Sequence, residues 1–221
     1  VLGMRLINGR GEVMHFGGEG MQPVAGYDVS RLNAGALGTL GVILEVSLKV
    51  LPAPRQSATL VFGAAMRDCH ALSEQWLRDG RPLTATLHDG DRLYARFSGA
   101  ASAITDATDT LDGSLLADAD ANTLWQSVRD HTHAFFQQDQ APLWRLSLPP
   151  AADIAAIFDS EETLVEWSGQ QVWLRSHRDA ETLREAAHKA GGSITRFYGD
   201  KPEPSGVFQP LDAVQTRLHR A

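Results

Sequence analysis

Residues 35–55 read Gly35-Ala36-Leu37-Gly38-Thr39-Leu40-Gly41-Val42-Ile43-Leu44-Glu45-Val46-Ser47-Leu48-Lys49-Val50-Leu51-Pro52-Ala53-Pro54-Arg55. Glycines at 35, 38 and 41 are spaced by three. From Val42 to Val50, Glu45, Ser47 and Lys49 alternate with Val46, Leu48 and Val50, the period of a half-buried strand. Pro52 and Pro54 end that strand, because neither can donate to a ladder, and a domain boundary is placed there. The dinucleotide fingerprint needs its glycines after a strand and opening a helix, so glycines lying before a strand exclude a Rossmann reading. Glycines entering a strand let backbone N–H groups approach a phosphate or an aromatic ring closely, since no Cβ intervenes. A tight turn with close strand packing accounts for the same spacing.

Upstream, Met4–Ile7 and Glu12–Phe16 read as a hairpin across Asn8-Gly9-Arg10-Gly11. Gly17-Gly18-Glu19-Gly20 breaks structure, and Val24–Asn33 makes a short helix with Asp28 near its start. Downstream, one order occurs twice. Strand Ser57–Phe62, helix Met66–Arg78, hairpin Thr84–His88 with Arg92–Ser98 across Asp89-Gly90-Asp91, and helix Ala100–Leu111 form the first copy. A helix over Asn122–Phe136 follows. Strand Leu143–Leu148, helix Ala152–Phe158, hairpin Thr163–Trp167 with Gln171–Leu174, helix Ala180–Ala190 and strand Ser193–Phe197 form the second. Two βαββα units predict a ferredoxin-like duplication with helices on one face of an antiparallel sheet. The repeat is one of topology, without evident identity between the halves. The tail from Asp200 to Gly206 reads as extended.

The chain has 221 residues, 20 Lys plus Arg and 27 Asp plus Glu, for a net charge of −7. That acidic balance argues against a general nucleic-acid binder, which needs concentrated basic residues. One cysteine, Cys69, excludes an intrachain disulfide and fits a reducing compartment. The most apolar run, Leu37–Leu51, is interrupted by Glu45 and Lys49 and falls short of the ~20 residues of a membrane span. Val1-Leu2-Gly3-Met4-Arg5 lacks the pattern of a signal peptide and opens inside a strand, so Val1 is read as other than a natural domain start.

Few other residues suggest chemistry. His131 and His133 lie two apart on an expected helix, whereas metal ligands there favour i, i+3 or i+4. His15, His70, His88, His177, His188 and His219 are scattered and expected mostly at the surface. Cys69 shares a helical face with Met66, Leu72 and Trp76, which predicts a buried, inert thiol. No Gly-x-Ser-x-Gly elbow occurs. Glu161-Glu162 and Asp118-x-Asp120 read as solvated loop carboxylates. Trp167, Trp173, Phe158 and Leu174 read as core.

The run Met21-Gln22-Pro23-Val24-Ala25-Gly26-Tyr27-Asp28-Val29-Ser30-Arg31-Leu32, with Gly35–Val42 and Val46–Pro52, resembles FAD-linked oxidases of the vanillyl-alcohol-oxidase type, and within them the glycolate oxidase E subunits. The likeness extends through Leu2–Glu12, Asp89–Leu93 and Leu143–Pro149. It implies an α+β fold: the second half of a vanillyl-alcohol-oxidase-type FAD domain over residues 1–55, followed by a duplicated ferredoxin-like antiparallel cap domain over residues 56–221. It implies FAD contacts from Gly35, Gly38, Thr39, Gly41 and Val42, with Tyr27 and Asp28 nearby. Gln22-Pro23 stands where Lys-Asn is common, and Ala36 where Ser is common, which removes one hydroxyl. The family's pyrophosphate loop would lie before Val1 and its Asp-Pro and Asn-Pro-Gly tail beyond Ala221, so the chain reads as an excerpt or a truncated paralogue that does not retain FAD alone.

The resemblance further implies an accessory subunit of a glycolate-to-glyoxylate oxidoreductase. Its partners would be a catalytic flavoprotein subunit and an iron–sulfur subunit, or a second copy of itself. The expected location is cytoplasmic, peripheral to the inner membrane through partners. No catalytic base can be named from the residues. Two other readings stand beside this one: an interaction or assembly protein without flavin, and a small-molecule binding module built on the repeat.

Overall fold

Met4 and Leu6 are the apolar members of an alternating run, and they set the first sheet. The computed structural model describes residues 1–17, 28–90, 92–138, 141–150, 152–158, 161–199 and 206–218. It divides into two compact units, Val1–Ala53 with Pro210–Ala221, and Pro54–Gln209.

In the first unit, β1 (Gly3–Ile7) lies between β2 (Val13–Gly17) and β3 (Val42–Ser47), antiparallel to both. Asn8 builds the β1–β2 turn: its side-chain oxygen accepts from the N–H groups of Arg10 at 2.9 Å and Glu12 at 3.0 Å. Met4 and Leu6 are buried, facing Phe16 and Val46, and Met14 and Ile43. A short helix, α1 (Val29–Asn33), precedes the glycine loop.

The strand expected over Val42–Val50 is shorter and more exposed than its alternation predicts. It ends at Ser47, and Val42, Ile43, Leu44, Val46, Leu48 and Val50 are all exposed. The reason is position. β3 is an edge strand whose register slips opposite Arg5 and Leu6, so alternation gives it no second buried row.

The second unit begins with β4 (Gln56–Gly63), a 3₁₀ turn over Met66–Asp68 and α2 (Cys69–Arg78). The hairpin of β5 (Leu83–Asp89) and β6 (Arg92–Gly99), α3 (Ala101–Thr110) and β7 (Ser114–Leu116) complete the first repeat. A connector follows: α4 (Asp118–Arg129) and a 3₁₀ turn over Ala134–Gln137. The second repeat is β8 (Leu143–Ser147), α5 (Ile154–Phe158), β9 (Glu162–Glu166), β10 (Gln171–Arg175), α6 (Ala180–Lys189) and β11 (Ser193–Tyr198). A last helix, α7 (Ala213–Leu218), belongs to the first unit.

All strands of the second unit join one eight-stranded antiparallel sheet, ordered β11-β8-β10-β9-β5-β6-β4-β7. Each half has the ferredoxin-like order, and β5 pairs with β9 at the seam. The first half therefore also closes with a fourth strand. β7 escapes sequence reading because three residues cannot display an alternation, yet it pairs with Thr59–Val61 of β4.

Alternation along the strands separates two faces. On one, Leu146, Val165, Val172, Leu174 and Ile194 pack on Phe158 of α5 and Leu183 of α6. On the same face, Leu60, Leu93, Ala95 and Phe97 pack on Trp76 of α2 and Ile104 of α3. On the other, Leu87, Leu143, Leu164 and Trp173 pack on Val128 of α4 and on Phe135 and Phe136. The connector thus covers the face that the repeat helices leave bare, a placement beyond the one-face expectation.

The helix expected over Asn122–Phe136 is corrected accordingly. It begins at Asp118, so Asp118 and Asp120 occupy its first turn rather than a loop, and it ends at Arg129. His131 takes a left-handed conformation, φ 55°, and its ring lies 4.5 Å from Phe136 and 4.8 Å from Trp173, centre to centre. That aromatic contact holds a conformation which glycine usually supplies at a helix end. Buried Arg175 ties the same connector down by donating to the carbonyls of Phe136 and Ala141, each at 2.8 Å.

Leu174 is fully buried and Leu115 on β7 is exposed. Leu174→Ala is expected to cost about 2–5 kcal/mol through the lost burial and the cavity left behind. Leu115→Ala should stay within about 0.5 kcal/mol. Urea unfolding of the two variants checks the difference.

Candidate functional site

The glycine loop is built from α1 outward. Asp28 caps the helix, its Oδ1 accepting from the N–H of Arg31 at 3.0 Å while Oδ2 pairs with the Arg31 guanidinium at 3.1 Å. Buried Asn33 donates its side-chain amide to the carbonyl of Val29 at 2.9 Å and lends its own carbonyl to the N–H of Ala36 at 3.2 Å. The carbonyl of Ala36 accepts twice from Thr39, from its N–H at 3.0 Å and its hydroxyl at 2.6 Å. These bonds pin a turn whose residues Gly35, Leu37 and Gly38 all have positive φ, at 85°, 53° and 79°.

The three glycines serve two different ends. A Cβ at Gly35 or Gly38 would meet nothing within 4 Å, so the loop presents bare backbone to open space at both positions. A Cβ at Gly41 would stand 2.7 Å from the carbonyl oxygen of Ile7, so this glycine lets the chain enter β3 tightly against β1. Strand packing, one of the two accounts of the spacing, holds at Gly41, whereas Gly35 and Gly38 lie in an open turn.

Gly35, Gly38, Thr39, Gly41 and Val42 therefore lie on one continuous loop and strand entry, with Val42 exposed. Asp28 serves that loop indirectly, its carboxylate being committed to the helix cap. Tyr27 lies outside the described residues. Leu37 was not legible as a left-handed residue, since leucine carries no signal for it.

A second concavity lies within Pro54–Gln209, on the connector face of the large sheet. It measures about 630 Å³, and its lining includes Thr59, Thr84, Arg96, Trp125, Glu166 and Trp167. The Trp125 indole N–H donates to the Thr59 hydroxyl at 2.9 Å, and the Arg96 guanidinium stands 5.2 Å above the Trp125 ring. Glu166 accepts from the Gln171 amide at 2.8 Å and from the Trp173 indole at 2.6 Å. Trp173, Phe158 and Leu174 are core residues as expected, but Trp167 is 60% exposed, a correction explained by its left-handed backbone at φ 52°. Nothing in residue spacing marks this cavity, because its walls come from strands and a helix far apart in sequence.

Among the described histidines expected mostly at the surface, His88 departs from that expectation, and His219 lies outside the described residues. His88 is buried and its Nε2 lies 2.9 Å from the carbonyl of Ala64. His131 sits in the aromatic cluster, and His133 lies 3.6 Å from Asp89. Among the described residues no group of three His, Cys, Asp or Glu could hold a metal ion. Cys69 is buried, and desolvation, followed by the neighbouring Asp68 charge, pushes its thiol up to about 12. Among the described residues no helix is long and apolar enough to cross a membrane.

The three-stranded sheet with its glycine loop, followed in the chain by the duplicated, ferredoxin-like eight-stranded sheet, defines a fold class, the α+β fold of vanillyl-alcohol-oxidase-type proteins. A solved alkyldihydroxyacetonephosphate synthase shares the fold, with a TM-score of 0.54 at 12% identity over 87% of this chain and 48% of that one. The chain is similar along its whole length to the glycolate oxidase subunit GlcE of Escherichia coli, at 36% identity over 221 residues. It spans 60% of that relative's length. Over 61 residues, 28% of this chain and 13% of the relative, it is 38% identical to the glycolate oxidase subunit GlcD of Bacillus subtilis. No family model matches the chain.

Gly41→Ala is expected to destabilise by about 1–3 kcal/mol, because Cβ meets backbone that cannot yield. Gly35→Ala should cost only about 1 kcal/mol, the conformational penalty alone. Equal denaturant midpoints for the two variants would contradict this division. Cys69 should resist thiol reagents at pH 8 while the chain is folded and react on unfolding; rapid labelling of the native chain would refute its burial.

Proposed function

We propose that this chain is the flavin-contacting, accessory part of an FAD-linked 2-hydroxy-acid oxidoreductase of the glycolate oxidase type, serving oxidation of glycolate to glyoxylate. The bare backbone at Gly35 and Gly38 carries this reading. Two neighbouring positions without side chains, held in left-handed turns and open to space, fit the close approach of a flat ring or a phosphate. Likeness to GlcE and GlcD supports the same reading and names the substrate class.

FAD, when bound, would accept the hydride in such a reaction. The residues of this chain would position it. Gly35 and Gly38 would admit the cofactor to the backbone, and the Thr39 hydroxyl, which donates to Ala36, keeps lone pairs free to accept. Gly41 and Val42 would fix the loop to the sheet, and Asp28 would hold the helix from which the loop departs. Tyr27 is proposed nearby on the strength of the motif. Ala36 offers no hydroxyl, which favours an accessory over a catalytic role.

The partners proposed are a catalytic flavoprotein subunit and an iron–sulfur subunit, with the assembly peripheral to a membrane. The exposed apolar residues of β3 favour burial by some partner, and with it the second reading, an assembly protein without flavin. Flavin fluorescence during titration of FAD into the chain separates the two. Binding weaker than micromolar is expected, reduced at least tenfold further in Gly38→Asn, since asparagine tolerates the left-handed backbone while its side chain fills the approach. Equal affinity in parent and variant, or no binding up to about 1 mM, would refute flavin contact at this loop. Submicromolar binding would refute the accessory role.

A further inference from the structure

Trp167, Ser168 and Gly169 form three successive left-handed residues, at φ 52°, 56° and 95°. Only the last is glycine, and a bulky residue adopts this conformation at a cost. Burial does not compensate, because Trp167 is 60% exposed. The turn is instead held by polar bonds: the N–H of Ser168 donates to the Thr86 hydroxyl at 2.6 Å, and the N–H of Gln170 to the carbonyl of Trp167 at 3.1 Å. What the strained turn achieves is to set an open indole in the wall of the 630 Å³ cavity. Strain that no packing explains is a pointer to function.

The charges of that wall cancel. Arg96 and Arg129 are balanced by Asp118 and Glu166. Arg129 is already paired with Asp130 at 2.8 and 3.1 Å, and one Glu166 oxygen accepts from both Gln171 and Trp173. Such a wall selects neither an anion nor a cation. Its remaining polar groups are neutral and two-sided. Asn122 and Gln126 project from α4 one turn apart, each able to donate and accept. The Thr59 and Thr86 hydroxyls, which accept from Trp125 and Ser168, add protons to donate, while the Thr84 hydroxyl is committed to the Arg96 carbonyl and to Ser98.

From an open indole, neutral amides, hydroxyls and cancelled charge, we infer that this cavity binds an uncharged polyhydroxylated ligand, of monosaccharide to disaccharide size, with its apolar face on Trp167. Hydroxyl arrays need partners that donate and accept without imposing charge, and C–H faces stack on indole. The volume lies in the usual range of small-molecule sites. Every lining residue belongs to Pro54–Gln209, so the site stands or falls independently of flavin contact at residues 35–42.

The test uses the whole chain and the indole N–H signals of its five tryptophans. Maltose and myo-inositol serve as neutral probes and glycolate as the anionic control. At least one neutral probe should shift the Trp167 and Trp125 signals with a dissociation constant in the millimolar range, leaving buried Trp76 and Trp144 in place, while glycolate shifts neither. Trp167→Gly should raise the melting temperature by about 2–4 °C, since glycine is relaxed in this turn, and yet weaken the probe at least tenfold. No shift with either neutral probe up to about 100 mM would overturn the inference. So would tighter binding of glycolate at the same indoles, a lowered melting temperature in the variant, or undiminished probe binding by it.

Discussion

Three residue pairs, Leu87 with Glu166, His88 with Val165 and Asp89 with Leu164, join the two repeats into one sheet. Everything in the second unit depends on that seam. Because opposed residues in an antiparallel ladder share a face, it aligns Leu93 and His88 of the first repeat with Val165, Val172, Leu146 and Ile194 of the second. The four repeat helices then cover one continuous apolar face. A slip of one residue would turn every one of those side chains to the other side.

The seam is short, and what happens beside it shapes the opposite face. β9 ends at Glu166 and the chain turns left-handed through Trp167–Gly169, while Thr86 of β5 bonds that turn instead of extending the ladder. The connector α4 packs through Val128 on Leu87 and Leu164 beside the seam and bonds Thr59 of β4 through Trp125, and a cavity lies between α4 and β4–β6 with Glu166 and Trp167 at one end. Cavity, strained tryptophan and connector thus share one face of the duplicated sheet.

Much of this was legible in the residues. Alternation with period two displayed the long strands, and the order strand, helix, hairpin, helix appeared twice, because those signals are local. β7 was not legible, being too short to alternate. The end of α4 was hidden because His131 takes the place of a glycine, held by Phe136 and Trp173, contacts that are far apart in sequence. The exposure of β3 was hidden for a related reason: alternation tells which residues share a face, not whether anything covers it. At the candidate site the glycine positions were plain, but their division of labour was not. Gly41 is required by Ile7, a strand partner, whereas Gly35 and Gly38 open on space.

That division is the basis for reading the loop as a flavin contact. It is tested most directly by hydrogen exchange at individual backbone amides, with and without FAD at saturating concentration. Slower exchange confined to the loop, above all at Leu37 and Gly38, is the result expected if the cofactor lies against bare backbone there. Unchanged exchange through residues 35–42, with protection appearing only within Pro54–Gln209, would contradict it.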